Sequence, residues 1–231
     1  MRMIGLIGGM SWESSAEYYR ILNQGIRERH GQTASARCLL WSFDFAEIEE
    51  LQHRGDWVSL EALMIDAARR LEAGGAEVLL ICTNTMHKMA DAVQSAVGVP
   101  LLHIADATAE AVKTANITRV GLLGTAFTME QDFYKGRLAR HHGLDVIIPD
   151  AADRSTIHRI IYEELVAGQA LPASRDAYRA IIARLVDDGA EAIILGCTEI
   201  MLLVRPEDSA VPLFDTTALH ANAAISMALA D

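Results

Sequence analysis

The sequence predicts an α/β fold of two pseudo-symmetric lobes, each a parallel sheet flanked by helices. Three observations carry this expectation. The first is an internal repeat: Gly75-Ala76-Glu77-Val78-Leu79-Leu80-Ile81-Cys82-Thr83-Asn84 recurs without a gap as Gly189-Ala190-Glu191-Ala192-Ile193-Ile194-Leu195-Gly196-Cys197-Thr198. The offset is 114 residues, and Ile4-Gly5-Leu6-Ile7-Gly8-Gly9 resembles Val120-Gly121-Leu122-Leu123-Gly124-Thr125 at an offset of 116. Two matching segments in the same order indicate two duplicated lobes, since a solenoid's shorter period would show more copies. The second observation is the alternation of short aliphatic runs with longer amphipathic stretches, the pattern of a parallel sheet covered on both faces. The third is the pair Val99-Pro100 and Val211-Pro212, where proline enforces extended chain before a short apolar run and marks a crossing between lobes. Residues 1–99 with 211–231 then form one lobe and 100–210 the other, with the active site in the cleft between them.

Taken in order, the chain opens with an apolar strand that closes on the glycine loop Gly8-Gly9. Strands are expected near 3–8, 37–42, 77–82, 101–104, 119–123, 144–148, 191–195 and 212–214. Helices are expected over 13–29, 57–73, 86–97, 106–116, 128–141, 153–167, 174–188 and 217–230, with Gly74-Gly75, Gly143 and Gly189 ending the ones they follow.

Composition narrows the functional classes. With 231 residues, 51% hydrophobic and 22% charged, the chain has the make-up of a globular α/β protein and can bury a large core. No apolar run approaches the roughly 18 residues that span a bilayer, and the N-terminal strand lacks the flanks of a signal peptide, so a cytoplasmic location is expected. Cys38, Cys82 and Cys197 form no CxxC pair and leave an odd thiol over, which suits a reducing compartment and points to no metal site. A net charge of −11 without a basic cluster argues against nucleic acid and anionic membranes as partners.

In open parallel sheets ligands bind beyond the carboxyl ends of the strands. The segments there are Gly8-Gly9-Met10-Ser11, Cys82-Thr83-Asn84-Thr85, Gly124-Thr125 with Thr128, and Gly196-Cys197-Thr198-Glu199. Glycine lets backbone N–H groups approach a ligand, and Thr and Asn add neutral donors, a chemistry suited to a carboxylate or phosphate at a helix N-terminus, with a carboxylate favoured over a dinucleotide. Gly5-Leu6-Ile7-Gly8-Gly9 is not GxGxxG and no GK[ST] follows a strand, so the nucleotide readings are weak.

Cys82-Thr83-Asn84-Thr85-Met86-His87, Gly196-Cys197-Thr198-Glu199, the run from Gly8 to Ser14 and His103-Ile104-Ala105-Asp106-Ala107-Thr108 together resemble the aspartate/glutamate racemase family. The resemblance runs nearly end to end and is nearest to the bacterial L-aspartate/glutamate-specific members. It implies a cofactor-independent amino-acid racemase with a small amino-acid substrate, assembled as a homodimer. Racemisation removes the α-proton from one face of the amino acid and returns a proton to the other, so a base and an acid must flank the carbon. Thiols suit the task because their ordinary pKa, near roughly 8.5, can be tuned by neighbours. Pyridoxal phosphate would need a Schiff-base lysine. Lys88, Lys113 and Lys135 are the lysines present, and none follows an expected strand.

In much of the family the first cysteine directly precedes Asn-Thr, whereas here Thr83 intervenes between Cys82 and Asn84. The ungapped repeat sets Thr83 opposite Cys197, so Thr83 and Cys197 are the expected catalytic pair. Side chains alternate along a strand, which turns Cys82 into the lobe core; Cys38, inside a strand, is expected to be core as well. By resemblance, Met10, Gln52, Thr83, Asn84, Thr85, Thr125, Glu164 and Thr198 stand at substrate-binding positions. Family members dedicated to aspartate grip the distal carboxylate with Arg or Lys, and neither Gln52 nor Glu164 offers a basic equivalent. His87 and His103 are candidates to orient the site. Two alternatives stay open: a superfamily enzyme acting on a non-amino-acid substrate (maleate isomerase, hydantoin racemase or arylmalonate decarboxylase type), and a non-catalytic acidic-amino-acid-binding protein.

Overall fold

The computed structural model describes residues 1–230, which divide into two units of like topology: residues 1–104 with the chain from His220 onward, and Ala105–Leu219. The first unit runs β1 (Ile4–Gly8), α1 (Trp12–His30), β2 (Cys38–Ser42), α2 (Phe45–Arg54), α3 (Trp57–Ala73), β3 (Val78–Ile81), a 3-10 turn (Thr85–Met89), α4 (Ala90–Ala96) and β4 (Leu101–Leu102). Its strands form one parallel sheet in the order β2-β1-β3-β4. Helix α5 (Ile104–Thr114) leads into the second unit. There β5 (Arg119–Gly124), α6 (Ala126–Glu130), α7 (Asp132–His142), β6 (Asp145–Ile147), α8 (Ala151–Ile160), a π-helical turn (Ile161–Leu165), α9 (Pro172–Asp187), β7 (Ala192–Gly196), α10 (Ile200–Leu203), a 3-10 turn (Pro206–Asp208) and β8 (Leu213–Asp215) follow. The second sheet has the order β6-β5-β7-β8, also parallel, and α11 (Thr216–Leu229) returns the chain to the first unit.

The central strands are buried along their whole length, as a parallel sheet covered on both faces requires. Alternation sorts their side chains. Ile7, Leu79 and Ile81 pack with Leu60, Met64 and Ala67 of α3, whereas Ile4, Leu6, Val78 and Leu80 pack with Tyr18 and Leu22 of α1 and with Ala224 and Ile225 of α11. Helix ends follow ordinary capping: Ser11, Asp44 and Asp56 accept backbone N–H bonds at the starts of α1, α2 and α3.

The repeat has a structural reason in each unit. Gly75 and Gly189 take positive φ, 96° and 93°, and close α3 and α9 through Ala76 N–H to Leu71 O (3.0 Å) and Ala190 N–H to Leu185 O (2.9 Å). The glutamate that follows then clasps the opening strand. Glu77 Oε2 accepts from Met3 N–H at 2.7 Å, and Glu191 Oε2 accepts from the N–H groups of Thr118 (2.8 Å) and Arg119 (3.0 Å). The strand register repeats too: Ile4 pairs with Val78 and Ile7 with Ile81, just as Val120 pairs with Ala192 and Leu123 with Leu195.

Some expectations need correction. The crossings expected at Val99-Pro100 and Val211-Pro212 come later, after Ile104 and at His220. Each proline leads into an edge strand of the sheet still being built, since β4 pairs with β3 and β8 with β7. The helix expected over 128–141 breaks at Gln131, whose extended ψ of 155° separates α6 from α7. Cys38 is half-buried on β2, a sheet-edge strand, and packs at the margin of the core cluster that holds Ile4, Leu6 and Cys82. No helix among the described residues is long and apolar enough to cross a membrane.

Candidate functional site

In the first unit the carboxyl ends of β1 and β3 bring together two of the loops singled out in the sequence. After β1 the chain turns at Gly9, where φ is +82° and a Cβ would lie 2.3 Å from Phe43 O. Gly9 N–H donates to Ser15 Oγ at 2.7 Å. After β3, Cys82 has no exposed surface and joins the core face of Leu80 and Val78; burial, reinforced by Cys38, pushes its thiol far up. The next residue, Thr83, is half-buried. Both peptide groups that flank it are held. The Ser14 hydroxyl donates to Cys82 O at 3.0 Å, and His87 Nδ1 bonds Thr83 O at 2.8 Å.

The other residues of this unit expected at substrate-binding positions are uncharged. Asn84, Thr85 and Met10 are buried, and Gln52, on α2 and 4% exposed, donates from Nε2 to Met86 Sδ at 3.3 Å. Such a group offers hydrogen-bond donors without a net charge, a surface suited to binding a carboxylate. Lys88, next to His87, is engaged elsewhere: its ammonium lies 3.8 Å from the centre of the Trp57 ring.

In the second unit Gly124 and Gly196 are paired across β5 and β7, so Thr125 and Cys197 emerge at adjacent strand ends. A Cβ at Gly196 would come within 2.7 Å of Leu123 O, and one at Gly124 within 2.8 Å of Gly196 O; this crossing point of two backbones admits no side chain. Thr125 caps α6, its hydroxyl accepting from Thr128 N–H at 3.3 Å. Cys197 Sγ donates to Glu199 Oε2 at 2.9 Å, and the Thr198 hydroxyl donates to the same oxygen at 2.8 Å. Burial pushes the Cys197 thiol well above its ordinary range, and the charge of Glu199 adds to this. The thiol therefore holds its proton, with a carboxylate at hydrogen-bond distance to receive it.

Glu164 lies in the π-helical turn, against which α10 packs. Its carboxylate accepts from the Ser174 hydroxyl and from Arg159 Nη1 at 3.3 Å. A cation thus stands beside Glu164, although Glu164 itself is acidic. Tyr178, on α9, is fully buried, and its hydroxyl has no hydrogen-bond partner among the described residues. Burial raises its phenol far above the usual range, and Cys197, Glu164 and Glu199 each push in the same direction, so these side chains share one electrostatic neighbourhood.

Met10, Gln52, Thr83, Asn84 and Thr85 thus belong to the first unit, and Thr125, Glu164, Cys197 and Thr198 to the second. Four residues described above were not expected from sequence as site residues: Ser14 in the first unit and, in the second, Tyr178, Arg159 and Glu199 as the partner of Cys197. Tyr178 reads as core, because it shares the buried stripe of α9 with Ile181, Ile182 and Leu185. Glu199 was visible in the Gly-Cys-Thr-Glu motif, two residues beyond the thiol. Among the described residues no cluster of three or more His, Cys, Asp or Glu could hold a metal ion.

The sequence profile of the Asp/Glu/hydantoin racemase family matches residues 7–224. A broad-specificity amino-acid racemase of Bacillus subtilis (strain 168) is 26% identical over 178 residues, 76% of this chain and 75% of that protein. Two solved structures align over nearly all of both chains. One is a Yersinia pestis protein provisionally assigned as an Asp/Glu racemase, with 54% identity, a TM-score of 0.93 and 100% of each chain covered. The other is an aspartate racemase homologue from Pyrococcus horikoshii OT3, with 34% identity, a TM-score of 0.85 and 99% of each chain covered.

Proposed function

Because the chain belongs to the Asp/Glu/hydantoin racemase family, whose amino-acid racemases work without pyridoxal phosphate, we propose that it racemises an acidic amino acid, with Cys197 and Thr83 as the acid/base pair. The observation that carries this reading is the shared register of the two units. With Ile81 aligned to Leu195 by strand pairing, Cys82 corresponds to Gly196 and Thr83 to Cys197. Cys82 in turn is enclosed in a core face, away from any ligand.

In this reading the Cys197 proton passes to Glu199 Oε2, and the thiolate then removes the α-proton of the L-enantiomer. Thr83 delivers its hydroxyl proton to the opposite face of the carbanion, and solvent restores both groups. Neutral donors at Asn84, Thr85 and Thr125 would hold the substrate carboxylate and stabilise the charge that develops on it. The Arg159–Glu164 pair supplies a cation that would meet a distal carboxylate. The chain would act as a homodimer in the cytoplasm, with no nucleic acid or membrane as partner.

A racemase screen by chiral chromatography tests the reading, using aspartate, glutamate and a set of neutral and basic amino acids. The expected outcome is conversion of L-aspartate or L-glutamate ahead of the others, abolished in Cys197→Ala. Inactivity on every amino acid alongside turnover of a hydantoin or a maleate-type acid would assign another chemistry, and tight binding without turnover would make the chain a binding protein.

A further inference from the structure

We propose that His87 is a positioning residue that aims Thr83, acting as the tautomer that carries its proton on Nδ1. This inference rests on the reading of Thr83 as half of the acid/base pair. The tautomer follows from hydrogen-bond polarity. Ile104 N–H can only donate, and it meets His87 Nε2 at 3.2 Å, so Nε2 is the acceptor and bears no proton. The proton is then on Nδ1, which donates to Thr83 O at 2.8 Å.

The ring has little freedom to leave this geometry. His87 is 2% exposed. Its centroid lies 4.6 Å from that of His103 and 5.6 Å from that of His220. His220 is itself fixed: its Nε2 meets the Leu102 carbonyl at 2.8 Å and must donate there, which leaves Nδ1 to accept from the Tyr18 hydroxyl at 2.8 Å. A locked imidazole thus holds the carbonyl of Thr83, while the Ser14 hydroxyl holds the preceding carbonyl of Cys82. Thr83 lies two residues beyond the end of β3, just past the last bond to the neighbouring strand, from Cys82 N–H to Ile7 O at 2.9 Å, and these two bonds hold the backbone there. A hydroxyl is a weak acid and a weaker base, so its aim at the α-carbon matters more than it would for a thiolate.

The position can be tested because the two halves of the reaction leave separate traces. With L-substrate in D2O, Cys197 alone exchanges the α-proton with retention, whereas inversion also needs Thr83. His87→Asn keeps an amide N–H near the place of Nδ1, whereas His87→Gln sets its amide near the place of Nε2, where its oxygen can accept from Ile104 N–H, and leaves no donor at the place of Nδ1. For His87→Gln the ratio of inversion to α-exchange is expected to fall at least about tenfold, with exchange itself little changed; His87→Asn should retain most of the ratio. A wild-type ratio in His87→Gln would overturn the inference, as would equal losses of exchange and inversion in both variants, the mark of a merely structural role.

Thr83→Val separates the two levels of reading. If it leaves the ratio unchanged, the assignment of Thr83 fails and takes this inference with it; if it abolishes inversion while His87→Gln behaves as wild type, only the inference fails. Should His87→Gln not fold, 15N NMR of the wild-type imidazole decides: Nδ1–H supports the inference, and Nε2–H overturns it.

Discussion

Cys197 and Glu199 form a contact in which a buried thiol donates to a carboxylate at 2.9 Å. The charge of Glu199 is one cause of the raised thiol, after burial. Glu199→Gln should therefore have two effects of opposite sense. The pH at which iodoacetamide alkylates Cys197 should move down, because the repelling charge is gone. The rate of α-exchange should fall by about 10² or more, because the proton acceptor is gone too. A rise in both, or no change in either, would separate Glu199 from the chemistry. At the other candidate residue, Thr83→Cys should speed racemisation by at least about tenfold, since a thiolate is the better base. Chiral chromatography reads this directly, and an unchanged or lower rate would point back to Cys82.

The secondary-structure elements carry a second set of consequences. Glu191 fastens the start of β5 to β7, and the backbone N–H of Thr118, then that of Arg119, holds its carboxyl below the usual 4.5. A depressed folded-state pKa contributes stability that is present above the unfolded value and lost as pH falls through the folded one. Glu191→Gln should thus lower the melting temperature at neutral pH and flatten its decline below about pH 4.3, the reference value for the unfolded carboxyl. An unaltered acid-melting profile would count against the clasp. Gly75→Ala and Gly189→Ala test the helix stops. Each has open space for a Cβ or only the Arg119 side chain nearby, so backbone strain of about 1–2 kcal/mol should dominate. All eight strands among the described residues were legible in the sequence, because each is a short, mostly apolar run, buried in β1, β3, β5 and β7, and Gly75, Gly143 and Gly189 end the helices before β3, β6 and β7. The π-helical turn at Ile161–Leu165 was not legible, since its residues continue the amphipathic pattern of α8. Proline marks an extended chain without saying which sheet that chain will join, so Val99-Pro100 and Val211-Pro212 do not by themselves locate the crossings.

At the scale of the whole chain, duplication explains both the ease and the limits of reading this sequence. Two units share one strand order and one register, so the positions of Thr83 and Cys197 could be matched from the repeat alone. The partners of those positions could not. His87 reaches back to a carbonyl four residues away, and Tyr178 is hidden in an ordinary apolar stripe; neither relation leaves a spacing signature. Unlike residues at matched positions also predict uneven chemistry within a thermodynamic bound. Enantiomers are equally stable in water, so kcat/KM must be equal in the two directions, while kcat and KM separately need not be. The most direct test of the Thr–Cys assignment is incubation of L-aspartate or L-glutamate with the wild-type enzyme in D2O. α-Proton loss is followed by NMR and the D-enantiomer by chiral chromatography. Rapid α-deuteration with the L-configuration largely retained, and slower appearance of the D-form, is the predicted result. Absence of α-exchange, or inversion as fast as exchange, would contradict it.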